Sequence, residues 1–587
     1  MNKNRLRLLL ALTLGLCCFH PAVSVAQVPA STPSATRVRP KLILQITVDQ
    51  LRGDEPFRYS DRFVRRGFRY LMDEGIWYLS ANHPHAHTET AVGHTTLATG
   101  AYPSRHGLIG DSWFDRATGK DQDGVEDTQY PQIGNPVGDD DGGASPLRIQ
   151  TTTFSDELTM TTARGAKVFA VSGKDRGAIP MSGQTGKAFW FSTRTGEFVT
   201  STYYYKSYPA WVTSWNQKNL ANNFDGKSWN LLEDLSTYLF AQQPPFAQNQ
   251  NLFGFNNVFP HPFGKRADNP TLYYTKLTVS PFTDDLTLQF AEELIEREGL
   301  GADDVPDYLA IGFSSTDIIG HIFGPSSLES EDNLLRLDRT LDQLFKFVDE
   351  RVGLQNTLIV LSGDHGAPEV PAYLQLLGVN TGWLKEGDIQ DAAVQALNDH
   401  FGRSDLASLI LKYKHPYFYV NYDVAKSMKL DELEVERTIA AGVMKVNGIA
   451  FAVPCRDLPG GGEEADAQMI AEIQRNQFPV RSGDVYVVQQ SEWQVAEKSA
   501  SGEPPVVLIN HGSPWAYDTF VPVAFAGMRI PAARVSRQIY TVDVAATLAA
   551  FLRTNKPSGS VGAPLVEVLD SEARDAKGTE NVRGRRQ

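Results

Sequence analysis

Two acid–imidazole pairs stand out in this sequence, and each directly follows an apolar run. Asp317 and His321 come after Tyr308–Phe313, and Asp364 and His365 come after Thr357–Leu361. A spacing of i and i+4 puts Asp317 and His321 on one face of a helical turn. Carboxylate oxygen and imidazole nitrogen together suit zinc. Either pair alone has an ordinary explanation, since aspartates cap helices and histidines pack in cores. Two such pairs at strand ends, with Gly363 and Gly366 flanking the second, point instead to metal chemistry. Asp49 also ends an apolar run, Leu42–Val48, and His511 lies in a polar Asn-His-Gly-Ser-Pro loop that gives it no reason to be buried.

A nucleophile and anion-binding groups accompany these ligands. The stretch His87–Trp113 is rich in threonine, histidine and glycine, and Thr90 precedes a run, Thr95–Ala98, able to begin a helix. A hydroxyl at a helix start lies near free N–H groups and the positive end of the dipole, which eases attack on an anionic phosphoryl centre. By itself Thr90 reads as a helix cap; its company decides otherwise. Lys174 and Arg176, just beyond the apolar run Lys167–Val171, could grip the non-bridging oxygens of a phosphate.

These residues must be held by an α/β scaffold. Leu42–Val48, Lys167–Val171, Tyr308–Phe313, Thr357–Leu361 and Val521–Ala526 read as buried strands. Helices are expected from Phe63 to Gly75, over Thr283–Gly299, from Leu334 to Val348 and over 541–553. Strand, polar residue, helix is the grammar of a doubly wound sheet with helices on both faces, whose ligands gather beyond the strand ends. Residues 372–504 change pattern and are read as a smaller α/β insertion, leaving 40–371 and 505–565 as the catalytic domain. Residues 116–148 read as an Asp/Gly-rich surface loop without EF-hand spacing. Residues 185–270 read as an irregular, aromatic insertion that walls the site or binds sugars, and 566–587 as a polar tail.

Residues 1–26 have the basic, apolar and small-residue segments of a secretory signal, and 27–39 read as a linker, so a periplasmic or secreted protein is expected. The apolar run Leu8–Cys18 is too short to span a bilayer. Removing that segment leaves Cys455 as the only cysteine, so no intrachain disulfide is expected. Loss of Lys3, Arg5 and Arg7 would also take the formal net charge from −14 to −17. So acidic a chain is not built to bind a nucleic-acid backbone. A phosphate site in it needs a local positive source, for which metal ions are the natural supply. A monomer without a membrane span is expected.

Taken together, the motifs resemble the alkaline phosphatase superfamily. The similarity is to its phosphate-irrepressible branch with a threonine nucleophile, related to the nucleotide pyrophosphatase/phosphodiesterases. Asp-Gln-Leu-Arg, Thr-x-x-Gly-His, Gly-x-x-Trp-Phe-Asp, Lys-Asp-Arg, both acid–imidazole motifs and His-Gly-Ser carry it, over about residues 40 to 565. The resemblance implies two zinc ions, one held by Asp317, His321 and His511, the other by Asp49, Asp364 and His365 beside Thr90. Such a clamp lowers the pKa of the threonine hydroxyl and stabilises the leaving oxygen, while Lys174 and Arg176 bind phosphate. It implies an alkaline-phosphatase-like fold and hydrolysis of phosphate monoesters through a phospho-threonine. A phosphodiesterase with the same metals is the alternative, and a ligand-binding protein that keeps the fold is the non-enzyme alternative. The sulfatase motif Cys/Ser-x-Pro-x-Arg is missing. Where the family usually has asparagine this chain has Asp111, a carboxylate that repels a phosphate dianion unless it is protonated or paired with a cation.

Overall fold

The computed structural model describes residues 39–134, 142–243, 254–255, 258–458, 467–496 and 507–570. The expected leader, most of the expected linker and residues 571–587 lie outside the described residues.

A ten-stranded mixed sheet organises the chain. We label the elements used below β1 (Leu42–Val48), α1 (Phe68–Glu74), β2 (Ile76–Tyr78), α2 (Thr90–Thr99), β3 (Val168–Ser172), α3 (Asp175–Ser182), β4 (Lys187–Phe191), β5 (Phe198–Ser201), α4 (Phe282–Glu298), β6 (Asp307–Phe313), α5 (Ser315–Phe323), α6 (Leu328–Arg351), β7 (Thr357–Gly363), β8 (Val523–Gly527) and α7 (Asp543–Leu552). From one edge the order is Ala533–Val535, β2, β8, β7, β1, β6, β3, β4, β5, Gln132–Ile133. The five strands β7, β1, β6, β3 and β4 are parallel; β8 and β5 flank them antiparallel.

Side-chain alternation explains why these runs are apolar on both faces, with Gln45 and Thr47 of β1 buried among the rest. Leu42, Leu44, Ile46 and Val48 of β1 pack with Leu309, Ile311, Ile359 and Leu361 on one face of the sheet. Ile43 joins Tyr308, Ala310, Leu358 and Val360 on the other. Both faces are covered by helices, so no strand position in β1 is spared for polar contact with water. The expected doubly wound sheet is present, with antiparallel edges added.

Three elements differ from the sequence reading. The helix expected from Phe63 begins only at Phe68, because the Asp338 carboxylate accepts the Val64 and Phe68 N–H groups at 2.6 and 2.8 Å and fixes a turn there. The stretch 185–270 is no separate insertion throughout: its first part supplies β4 and β5 of the main sheet. Its aromatics are core; Trp229 is fully buried and donates its indole N–H to Asp332 at 2.7 Å. Residues 566–570 are helical, and Leu565 and Val568 are buried in the main core, so the polar tail cannot begin at 566.

Between 383 and 496 the chain builds a four-stranded antiparallel sheet in the order Ile410–Lys414, Tyr417–Val420, Val485–Gln489, Ile449–Pro454. Helices Glu386–Phe401 and Glu432–Val443 cover one face around Ile389, Leu397, Phe418, Val435 and Val487. The other face, through Tyr417, Tyr419, Tyr486 and Val488, packs on Ala91, Leu108, Ile109 and Trp113. This smaller sheet therefore sits directly against the Thr90-bearing stretch.

Candidate active site

The candidate residues meet where the parallel strands end. Asp49 follows β1, Lys174 lies just past β3, Asp317 lies in the first turn of α5 after β6, and Asp364 follows β7. Parallel registration between β1 and both neighbours brings these ends together, since Val48 pairs with Phe313 on one side and Gly363 on the other. Thr90 is the first residue of α2, with Glu89 as N-cap, so the helix starts five residues before the run that marked it in sequence. The Thr90 side chain is almost fully buried and lines a cleft of about 180 Å³ with Asp111, Arg176, Asp317, His321 and His511. Glu386, His415, Gln489 and Gln494 of the smaller sheet region close its far side.

Three imidazoles share one arrangement. His321 Nδ1 pairs with the Ile509 carbonyl at 2.8 Å, His511 Nδ1 with the Thr88 carbonyl at 2.7 Å, and His365 Nδ1 with the Gly366 carbonyl at 3.0 Å. A carbonyl only accepts, so each Nδ1 carries a proton and each Nε2 faces the centre, where giving up any proton of its own leaves a lone pair for a metal. There His321 Nε2 and His511 Nε2 lie 3.2 and 3.4 Å from the same atom, Asp317 Oδ1. His365 Nε2 lies 3.4 Å from Asp49 Oδ1 and 3.7 Å from Asp364 Oδ2. Donor atoms of Asp49, Asp364 and His365 fall within 4.8 Å of one another, as do those of Asp317, His365 and His511. His365 thus stands between the two groups, its ring stacked on His511 with centroids 3.7 Å apart.

These donors fit divalent metal. Both carboxylate oxygens of Asp49, Asp364 Oδ2 and His365 Nε2 are buried without a well-directed hydrogen bond. Buried carboxylates left so are costly unless a cation meets them. The local field also calls for positive charge: burial disfavours protonated His365, yet Asp364 and Asp49 outweigh it and raise its pKa to about 10. Lys174 remains charged for a similar reason; burial opposes the charge, and Asp317 and Asp49 more than offset it.

The two cations expected to bind phosphate, Lys174 and Arg176, both have carboxylate partners. Lys174 Nζ lies 2.8 Å from Asp49 Oδ2 and also contacts Asp317 Oδ2. Arg176 Nε forms an ion pair with Asp111 Oδ2 at 2.8 Å, while Asp111 Oδ1 accepts the Ala91 N–H at 2.7 Å. Asp111 is therefore paired, and it occupies an N-terminal amide of α2 next to Thr90. On their other side Lys174, Arg176, Asp317 and His321 border a second cavity of about 490 Å³, lined by Trp190, Phe191, Val279 and Ile318. The first part of the 185–270 stretch does wall the site, through these β4 residues.

Four neighbours had no role in the sequence reading. Gln50, in the left-handed region at φ 63°, accepts nothing from the ligands but donates to both groups: its N–H to Asp364 Oδ1 at 3.0 Å and its Nε2 to Asp317 Oδ1 at 2.8 Å. Gly320 leaves it room, since a Cβ there would stand 1.9 Å from Gln50 Oε1. Glu89 accepts the Asp111 N–H and lies 3.3 Å from His87 Nε2, and His87 Nδ1 reaches the Gly512 carbonyl at 2.8 Å. His94 contacts Asp364. Gln50 adjoins Asp49 and His94 closes the Thr-x-x-Gly-His motif, the only signals sequence offered for them.

The chain belongs to the type I phosphodiesterase/nucleotide pyrophosphatase family, whose profile matches residues 43–514. It is 32% identical to alkaline phosphatase PhoV of Synechococcus elongatus, over 93% of this chain and 96% of that protein. It is 30% identical to a protein named calcium-transporting ATPase from Myroides odoratus, over 94% and 98% of the two chains. The crystal structure of wild-type alkaline phosphatase PafA superposes with a TM-score of 0.81 at 30% identity, covering 90% of this chain and 99% of that one. The fold is thus that of the PafA alkaline phosphatase.

Proposed function

We propose that the protein is a zinc-dependent alkaline phosphatase that hydrolyses phosphate monoesters through a phospho-threonine at Thr90, exported to the periplasm or beyond. The observation that carries this reading is the set of three Nε2 atoms and buried carboxylates converging beside Thr90 at the sheet's strand ends. Asp317, His321 and His511 would hold one ion and Asp49, Asp364 and His365 the other. Two such ions, when bound, supply Lewis-acid stabilisation of the attacking and departing oxygens.

This chain's own groups do the rest. Thr90 Oγ1, freed of its proton, attacks phosphorus; the new O–P bond forms as the ester P–O bond breaks, and the alcohol leaves with a proton. Water then attacks the same phosphorus, the Thr90 O–P bond breaks, inorganic phosphate departs and the hydroxyl recovers its proton. Thr90 lines the cleft, so a phosphoryl group bound there would lie against its hydroxyl. Lys174 and Arg176 would hold the non-bridging oxygens, and the start of α2 adds dipole stabilisation. The preference for monoesters rests on those two cations, which match the extra charged oxygen of a dianion.

The Asp111–Arg176 pair favours a second reading. With Arg176 partly neutralised, a diester, which lacks that charged oxygen, loses less by comparison, and a phosphodiesterase becomes the competing activity. The Myroides relative's name adds no further reading, because ester hydrolysis already accounts for each site feature.

The test is Thr90→Ala with Thr90→Ser. The alanine variant should keep its fold and metals yet lose at least roughly three powers of ten in turnover. The serine variant should retain appreciable activity, and acid-quenched wild type should carry labelled phosphate on Thr90. Near-wild-type turnover by Thr90→Ala would make water or Thr88 the attacking group.

A further inference from the structure

The Thr-x-x-Gly-His motif contains a nucleophile and, one helical turn later, a histidine to which the chemistry above gives no task. His94 is 1% exposed, beside His321, His365 and His511, which all turn Nε2 to the central carboxylates. His94 is oriented the opposite way. Its Nδ1 pairs with the Thr90 carbonyl at 3.0 Å and lies 3.0 Å from Asp364 Oδ2. Its Nε2 is buried and has no hydrogen-bond partner.

Asp364 needs such a neighbour. Its Oδ1 is fixed twice, by the N–H groups of Gln50 and His365, each at 3.0 Å. Its Oδ2 has no well-directed hydrogen bond; its close polar neighbours are His94 Nδ1 and, farther off at 3.7 Å, His365 Nε2. The residue before His94 makes the same approach: a Cβ at Gly93 would stand 2.0 Å from the Asp364 carbonyl oxygen. The first turns of α2 are thus seated on Asp364, glycine allowing the contact and histidine occupying it.

We propose that His94 is a positioning residue: its Nδ1–H bonds the Thr90 carbonyl and, 3.0 Å from Asp364 Oδ2, holds by electrostatic contact the second carboxylate oxygen of the metal-binding aspartate beside the turn that carries the nucleophile. Outer partners of metal ligands fix ligand orientation, and their loss commonly costs about 10- to 100-fold in metal affinity. Here the same proton also couples the ligand to Thr90, so its loss should loosen one metal and misplace the hydroxyl together. The inference rests on the metal-centre reading above.

Only Nδ1 is used, which gives a discriminating pair of variants. Asparagine places its amide nitrogen close to where Nδ1 stands, whereas glutamine reaches toward the Nε2 position. His94→Asn, His94→Gln and wild type would be titrated with zinc against a chromophoric chelator, and their thermal stability and burst of phosphoenzyme recorded. The expected result is near-wild-type zinc affinity and burst for His94→Asn. His94→Gln should show about 10- to 100-fold weaker binding of one ion and a smaller burst. Equal behaviour of the two variants, whether both intact or both collapsed, overturns the proposal. Wild type that binds no zinc would instead refute the metal-centre reading itself.

Discussion

At the residue scale, the unusual feature of this site is a carboxylate paired with one of the two cations proposed to bind phosphate. Asp111 holds Arg176 and an N-terminal amide of α2, so an incoming phosphate oxygen must compete with an internal anion for both. Each charge-assisted hydrogen bond to a phosphate oxygen contributes roughly 1.5–3 kcal/mol. Two of them favour a monoester over a diester by about two to four powers of ten. The variant Lys174→Ala with Arg176→Ala should therefore lose monoester activity far more than diester activity, measured on esters sharing one leaving group. Equal losses would move the phosphodiesterase reading ahead. Asp111→Asn removes the competing charge while keeping an acceptor for Ala91. It should strengthen inhibition by inorganic phosphate about tenfold, equivalent to ~1.4 kcal/mol; unchanged inhibition would leave Asp111 a helix cap alone.

At the element scale, the position of α5 decides where Asp317 and His321 point, and α4 holds it. Asp284, in the first turn of α4, accepts the Ser314 and Ser315 N–H groups at 2.9 and 3.2 Å. Burial raises the Asp284 pKa from 3.8 to about 7, against the lowering effect of those hydrogen bonds and with a further rise from Asp285. A raised carboxylate pKa means that the folded chain holds a proton that the unfolded chain has released. Its stabilising contribution is complete below pH 3.8, falls as pH rises and is gone above about 7. The upper bound on that loss is roughly 4 kcal/mol. Asp284→Asn keeps an acceptor but cannot ionise. At saturating zinc its Tm should fall less than that of wild type between acid and neutral pH. Parallel Tm profiles for the two proteins would show that Asp284 does not titrate in that window.

At the scale of the whole molecule, the centre draws on β1, α5, the end of β7 and the loop at His511, segments far apart in the chain. Metal binding then ties the ends of three parallel strands to the loop that follows the smaller sheet. A ligand bound only by the folded form stabilises it by RT ln(1 + [L]/Kd), ~4 kcal/mol at a thousandfold excess over Kd. Chelation should abolish activity and lower Tm together, and about two equivalents of zinc should restore both. Activity that survives complete metal removal would overturn the mechanism.

What the sequence determined by itself was local. Predominantly apolar runs such as Leu42–Val48 and Thr357–Gly363 announce strands buried on both faces, and the polar residue after each marks a place where ligands gather. Asp49, Lys174, Asp317 and Asp364 stood out near strand ends and Thr90 at a helix start, because each alone has an ordinary explanation while together they point to one chemistry. Partnerships were not legible, since they depend on which distant segments the fold brings into contact. That Asp111 meets Arg176, that Gln50 spans both ligand groups and that His94 turns its Nδ1 to Asp364 are all products of packing. The aromatic stretch after residue 185 misled for the same reason: Trp229 and its neighbours show no period because they fill gaps in a core that other elements define. Periodicity records which side of an element faces the interior, whereas the tertiary structure alone decides what waits there.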